Sequence, residues 1–167
     1  MDIFDLREDI NLNILKRSIS LDQSISLILS ELSVFFDDLK PDIVFVQGDT
    51  ITAFAGALAA FLKSIPVAHI EAGLRTENIY SPFPEEANRR MISQLTRLHF
   101  SPTKIAYENL INNGINKDVF ISGNTVVDAL NLVSKKINDF KIKNIDIYKE
   151  NYILTTVHRR ENWGDPI

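Results

Sequence analysis

Two carboxylates stand where short apolar runs give way to turns, Asp49 in Gly48-Asp49-Thr50 and Glu71 in Glu71-Ala72-Gly73-Leu74-Arg75-Thr76, and a third, Glu85 in Pro84-Glu85-Glu86, opens a helix. Carboxylates of this kind do general acid/base work when their environment tunes the proton affinity and the geometry brings them to a substrate. Glu71 follows the apolar run Val67–Ile70 directly, where solvation is poor, and burial there raises a carboxyl pKa. Cations accompany them. His158-Arg159-Arg160 follows the last apolar run and suits a phosphate. Each group also has a plainer reading. Asp49 can cap the Ala-rich helix that follows it. Glu85 and Glu86 can complement a helix dipole, and Arg89 and Arg90 can pair with them on the helix surface. His69 and His99, inside apolar runs, read as hydrogen-bonded core residues.

The elements that must position these groups are legible from periodicity. Ile25, Leu27, Ile28, Leu32, Phe35 and Phe36 recur at helical spacing over Leu21 to Leu39, and Pro41 ends that helix. Ile43 to Val46 reads as a buried strand. Ile51 to Lys63 reads as a helix whose Ala53, Ala55, Gly56 and Ala59 allow close approach to a sheet. A strand over Val67 to Ile70, a polar loop to Pro84 and a helix from Glu85 to Leu98 follow. Next come a strand at His99-Phe100, a helix opened by Ser101-Pro102 that stops near Gly114, and a strand from Val119 to Ser122. Asn124-Thr125 caps a helix running to about Ile137. A Lys- and Asp-rich stretch then leads to a final strand, Tyr152 to Val157. Strands alternating with helices predict an α/β fold with a doubly wound parallel sheet. Ligands of such sheets sit at the carboxyl ends of the strands, where Asp49 and Glu71 fall, and Glu85 opens a helix on the same side of the sheet.

Composition narrows the function. The 167 residues carry a net charge of -4, which disfavours general nucleic-acid binding. With no cysteine there is no disulfide framework and no thiolate chemistry. His69, His99 and His158 lack metal-ligand spacing, so no metal site is expected. Neither a Gly-x-Gly-x-x-Gly nor a P-loop signature is present. The acidic, polar N-terminus does not read as a signal peptide. The longest apolar stretch, Ile51 to Leu62, is shorter than the ~20 residues of a membrane span. The expected location is cytoplasmic, away from membranes.

Five segments, in order, carry a family likeness. They are Pro41-Asp42-Ile43-Val44-Phe45-Val46-Gln47-Gly48-Asp49-Thr50, His69-Ile70-Glu71-Ala72-Gly73-Leu74-Arg75-Thr76, Tyr80-Ser81-Pro82-Phe83-Pro84-Glu85-Glu86-Ala87-Asn88-Arg89, Gly123-Asn124-Thr125-Val126-Val127-Asp128-Ala129-Leu130 and Thr156-Val157-His158-Arg159-Arg160-Glu161-Asn162. Together they resemble the non-hydrolysing UDP-N-acetylglucosamine 2-epimerases. The resemblance implies a Rossmann-like lobe of a two-lobed, B-type glycosyltransferase-like fold, here incomplete. It implies interconversion of UDP-N-acetylglucosamine and UDP-N-acetylmannosamine without a cofactor, by loss and re-addition of UDP. Asp49, Glu71 and Glu85 are then the acid/base candidates, with Asp49, Glu71, Arg89 and His158 against the substrate. It further implies a homodimer and UDP-N-acetylglucosamine as a regulatory ligand.

The family's opening Gly-Thr-Arg-Pro-Glu loop and most of its second lobe have no counterpart in the sequence. The expected layout is an N-terminal lobe over residues 1–138 lacking its first strands, a linker over 139–151, and the opening strand and loop of the second lobe over 152–167. On that layout the isolated chain is expected to be inactive or nearly so. A glycosyltransferase fragment of the same architecture and a non-catalytic interaction remnant are the alternative readings.

Overall fold

The computed structural model describes residues 4–14, 19–136, 151, 153, 155 and 156. They fall into two compact units, one spanning 10–124 and the other built from 1–9 and 125–167. The larger unit holds, in chain order, α1 (Leu21–Leu39), β1 (Val44–Gln47), α2 (Ile51–Leu62), β2 (Val67–Ile70), α3 (Glu85–Leu95), β3 (Leu98–Ser101), α4 (Lys104–Asn112) and β4 (Val119–Ile121). Its four strands form one parallel sheet in the order β1-β2-β3-β4. Each strand is linked to the next by a helix, as a parallel pair requires. The strand order shows no reversal among the described strands.

The core explains why these segments take these forms. Ala53, Ala57, Ala59 and Ala60 of α2 are buried with Val46, Val67, Phe36 and Ile92. Small side chains let α2 lie close to β1, and Gly56 carries the principle furthest: a Cβ there would touch the Val46 side chain at 3.5 Å. α1 packs beside α2, and an exposed Lys63–Asp37 ion pair of 2.6 Å joins their ends. A capping box starts α1: the Ser20 hydroxyl accepts from the Gln23 amide, and the Gln23 side chain accepts from the Ser20 amide. Lys40, in the left-handed conformation, stops it by donating its amide to Phe36.

Several boundaries differ from the sequence expectation. α3 ends at Leu95, and β3 begins at Leu98 and runs through Ser101. Ser101 therefore does not open the next helix. It is buried in the strand, and the Thr103 hydroxyl caps α4 by accepting from the Ala106 amide at 3.1 Å. The smaller unit contributes α5 (Thr125–Lys136), which has no buried residue. Its Lys136 pairs with Asp5 at 2.8 Å. Most of the expected linker and of the strand Tyr152 to Val157 lies outside the described residues, and Ile153, Thr155 and Thr156 carry no strand pairing. No helix among the described residues is long and apolar enough to cross a membrane.

Candidate functional site

The carboxyl ends of β1 and β2 lie side by side, since Gln47 is in register with Ile70. The next residues therefore meet. Gly48 donates its amide to the Ile70 carbonyl at 3.0 Å and then turns with φ +71°. Glu71 leaves β2 with φ +68°, a left-handed conformation that is unfavourable for a residue with a side chain. Its carboxylate comes to rest against Gly48: a Cβ on Gly48 would lie 3.6 Å from the Glu71 Oε2.

Asp49 does not cap α2, contrary to its plainer sequence reading. Thr50 does so, in an extended conformation, with its hydroxyl accepting from the Ala53 amide at 3.2 Å. Asp49 is thereby released for an ion pair with Arg89, Nη2 to Oδ2 at 2.7 Å. The Asn88 side-chain amide donates to the Asp49 carbonyl at 2.8 Å. α3 thus holds Asp49 at both its carbonyl and its carboxylate.

Arg89 and Glu86 are not the surface pair that their helical spacing suggests. Arg89 is 9% exposed and Glu86 is fully buried. Glu86 accepts from Arg90 Nε at 2.6 Å, faces Arg89 Nε at 3.5 Å, and accepts the Thr76 amide at 3.0 Å. Arg90 also donates to the Thr76 carbonyl at 2.8 Å. The loop carrying Glu71 is thereby tied to α3. Nearer Glu71 the loop is set by Gly73, whose φ is +92° and where a Cβ would lie 2.1 Å from the Ala106 carbonyl oxygen. Glu85, half-buried, opens α3 one turn before Arg89, and its carbonyl accepts from Arg89 Nε at 3.4 Å.

Electrostatics separate the two carboxylates at the strand ends. Asp49 is committed to Arg89, whereas burial raises the Glu71 carboxyl above its ordinary range and the neighbouring Asp49 raises it further, with Arg89 opposing. A carboxyl whose proton affinity is raised in this way is suited to acid/base work. His69 and His99 are core residues, each 1% exposed. Burial pushes His69 down to about 4, and His99 is lowered for the same reason.

The structure therefore brings Asp49, Glu71 and Arg89 together and sets Glu85 on the adjoining helix. His158 lies outside the described residues. Sequence reasoning passed over the structural parts of Glu86 and Asn88. The available signal was that α3 has few apolar residues for a helix in an α/β core, so its buried face had to be polar. No cluster of metal-binding side chains occurs among the described residues.

A sequence-family model described as UDP-N-acetylglucosamine 2-epimerase matches residues 1–167. The chain is 46% identical to a UDP-N-acetylglucosamine 2-epimerase of Bacillus subtilis over 168 residues, covering 100% of this chain and 44% of that protein. It is 46% identical to the enzyme of that name from Neisseria meningitidis over 175 residues, covering 100% of this chain and 47% of that protein. The crystal structure of UDP-GlcNAc 2-epimerase from N. meningitidis bound to UDP-GlcNAc superposes with a TM-score of 0.79 at 49% identity, over 81% of this chain and 37% of that one. The S. aureus MnaA–UDP co-structure gives a TM-score of 0.85 at 40% identity, over 98% and 43%. The chain thus spans less than half the length of these relatives. With a match along its whole length, the chain belongs to the UDP-N-acetylglucosamine 2-epimerase family.

Proposed function

We propose that residues 10–124 supply the sugar-facing acid/base groups of a UDP-N-acetylglucosamine 2-epimerase. The observation that carries this reading is the adjacency of Glu71, Gly48-Asp49 and Arg89 at the ends of two paired strands. The proton on C2 of the sugar is not acidic by itself. Breaking the C1–O bond sends the electron pair away with UDP and leaves cationic character at C1, which acidifies C2. A carboxylate then takes the C2 proton, a C1=C2 double bond forms, and the product is a glycal with free UDP. Return of a proton to the other face of C2, with re-addition of UDP oxygen to C1, gives the epimer.

Glu71 fits the proton carrier, because its desolvated carboxyl has a raised proton affinity and its strained backbone aims it at the strand ends. Asp49, in its ion pair, suits stabilisation of positive charge at C1, as preorganised charge does in a water-poor site. Glu85, on the neighbouring helix, suits the second proton position. His158 and Arg89 are the candidate groups for the departing diphosphate.

The experiment is to incubate the purified chain, and a full-length relative carrying this segment, with UDP-N-acetylglucosamine and to follow UDP-N-acetylmannosamine by NMR. The full-length protein is expected to equilibrate the two sugars. The chain alone is expected to do so at least ~10²-fold more slowly, because positioning of the leaving group is incomplete. Transfer of the sugar to an acceptor, with no manno epimer, would replace this reading by a glycosyltransferase.

A further inference from the structure

We propose that His69 is a positioning residue for Asp49: its Nε2–H holds the Gly48 carbonyl and fixes the peptide from which Asp49 projects toward Arg89 and Glu71. The chemical meaning of this role rests on the epimerase reading; its geometry does not.

Gly48 is the residue directly after β1, with its amide donated to the Ile70 carbonyl. The chain then turns into α2, so the Gly48 carbonyl has no strand to continue on. His69, on the adjacent strand, reaches it with Nε2 at 2.8 Å. A carbonyl only accepts, so the ring donates from Nε2 and Nδ1 carries no hydrogen. Nδ1 is fully buried and has no partner among the described residues. An unsatisfied buried nitrogen is a cost that leucine or methionine would avoid at similar volume. Packing therefore does not explain a histidine here, whereas the bond to Gly48 does.

The charged and titratable groups acting on the ring are His99, its register partner on β3, and Arg75 from the loop after β2. Both oppose an imidazolium, and burial opposes it more, so the ring stays a neutral single donor through neutral pH. Side chains from two elements hold this turn. β2 holds the Gly48 carbonyl through His69. α3 holds the Asp49 carbonyl through Asn88 and the Asp49 carboxylate through Arg89. Loss of His69 removes the bond on the Gly48 carbonyl while leaving the Asn88 and Arg89 contacts in place.

The test uses the purified chain, isotopically labelled, and NMR. In the unmodified protein the His69 ring nitrogens are expected to show the Nε2–H tautomer; the Nδ1–H tautomer would overturn the proposal without any variant. In His69→Leu, the Asp49 and Glu71 carboxyl titrations and the Gly48 and Asp49 amide signals are expected to move, the titrations by about half a pH unit or more. His69→Gln places an amide donor near the Nε2 position and is expected to return them toward the original values. Carboxyl titrations unchanged in His69→Leu, or His69→Gln as disturbed as His69→Leu, would reduce His69 to core packing. Adding UDP-N-acetylglucosamine to a full-length relative bearing this segment separates the two readings: signals of the residues matching Asp49 and Glu71 indifferent to it would count against the epimerase site while leaving the positioning role intact.

Discussion

At the scale of single residues, the site is a contrast between two carboxylates about one arginine. Asp49 is paired and Glu71 is partly desolvated. If Glu71 carries the proton at C2, Glu71→Gln in a full-length relative bearing this segment removes an acid/base step. Epimerisation should fall by ~10²–10⁴-fold with KM little changed, read from the rate of manno product formation. The position of Glu71 was legible in sequence, since a carboxylate directly after an apolar strand is an anomaly that periodicity exposes. The job of Asp49 was not. Both Asp49 and Thr50 can cap a helix, and only the backbone conformation, with Thr50 extended and its hydroxyl on the Ala53 amide, decides between them. Glu85 and Glu86 posed the same difficulty. They are about 100° apart around a helix, so a small rotation of α3 decides which one is buried.

At the scale of elements, the loop from Glu71 to Pro84 and helix α3 depend on each other through Glu86. Removing a buried partner of an ion pair leaves the other charge uncompensated, which costs about 3–5 kcal/mol. Glu86→Ala should therefore destabilise the chain by that order in chemical denaturation, and Glu86→Gln by less, since it keeps an acceptor for Thr76. Gly73→Ala tests the loop from its other side. A methyl group 2.1 Å from the Ala106 carbonyl forces loop and α4 apart, and the left-handed φ adds strain. A loss of at least about 2 kcal/mol is expected, measured the same way. The strands β1, β2 and β4 and the helices α1 and α2 were readable to within about a residue because their apolar spacing is regular, whereas α4 starts at Lys104, beyond the Ser101-Pro102 expected to open it. The end of α3 and the start of β3 were displaced because a polar buried face gives no periodic signal. The capping box of α1 was present as Ser20-Leu21-Asp22-Gln23, a readable Ser-x-x-Gln pattern.

At the scale of the whole molecule, stability carries the signature of its buried imidazoles. His69 takes up a proton near 6.5 when unfolded but only at about 4 when folded. As pH falls through this interval the unfolded chain binds the proton first. The contribution is thus complete above pH 6.5 and lost progressively toward pH 4, amounting to about 3 kcal/mol. His99 acts in the same sense, and the more exposed Glu71 acts in the opposite one. Denaturation midpoints collected across this range should fall on the acid side, and His69→Gln should flatten the decline. The α/β class and the gathering of carboxylates at one end of the sheet were legible because strand-helix alternation dictates both. The burial of Arg89 was not, since it depends on a distant strand end supplying Asp49. Glu86 finally has a kinematic meaning. A carboxylate gripped from a loop and a helix at once couples their displacements, so Glu71 and Glu85 travel as one rigid claw. That claw is hinged to the turn after β1 at Asp49, which Asn88 and Arg89 grip at the carbonyl and the carboxylate.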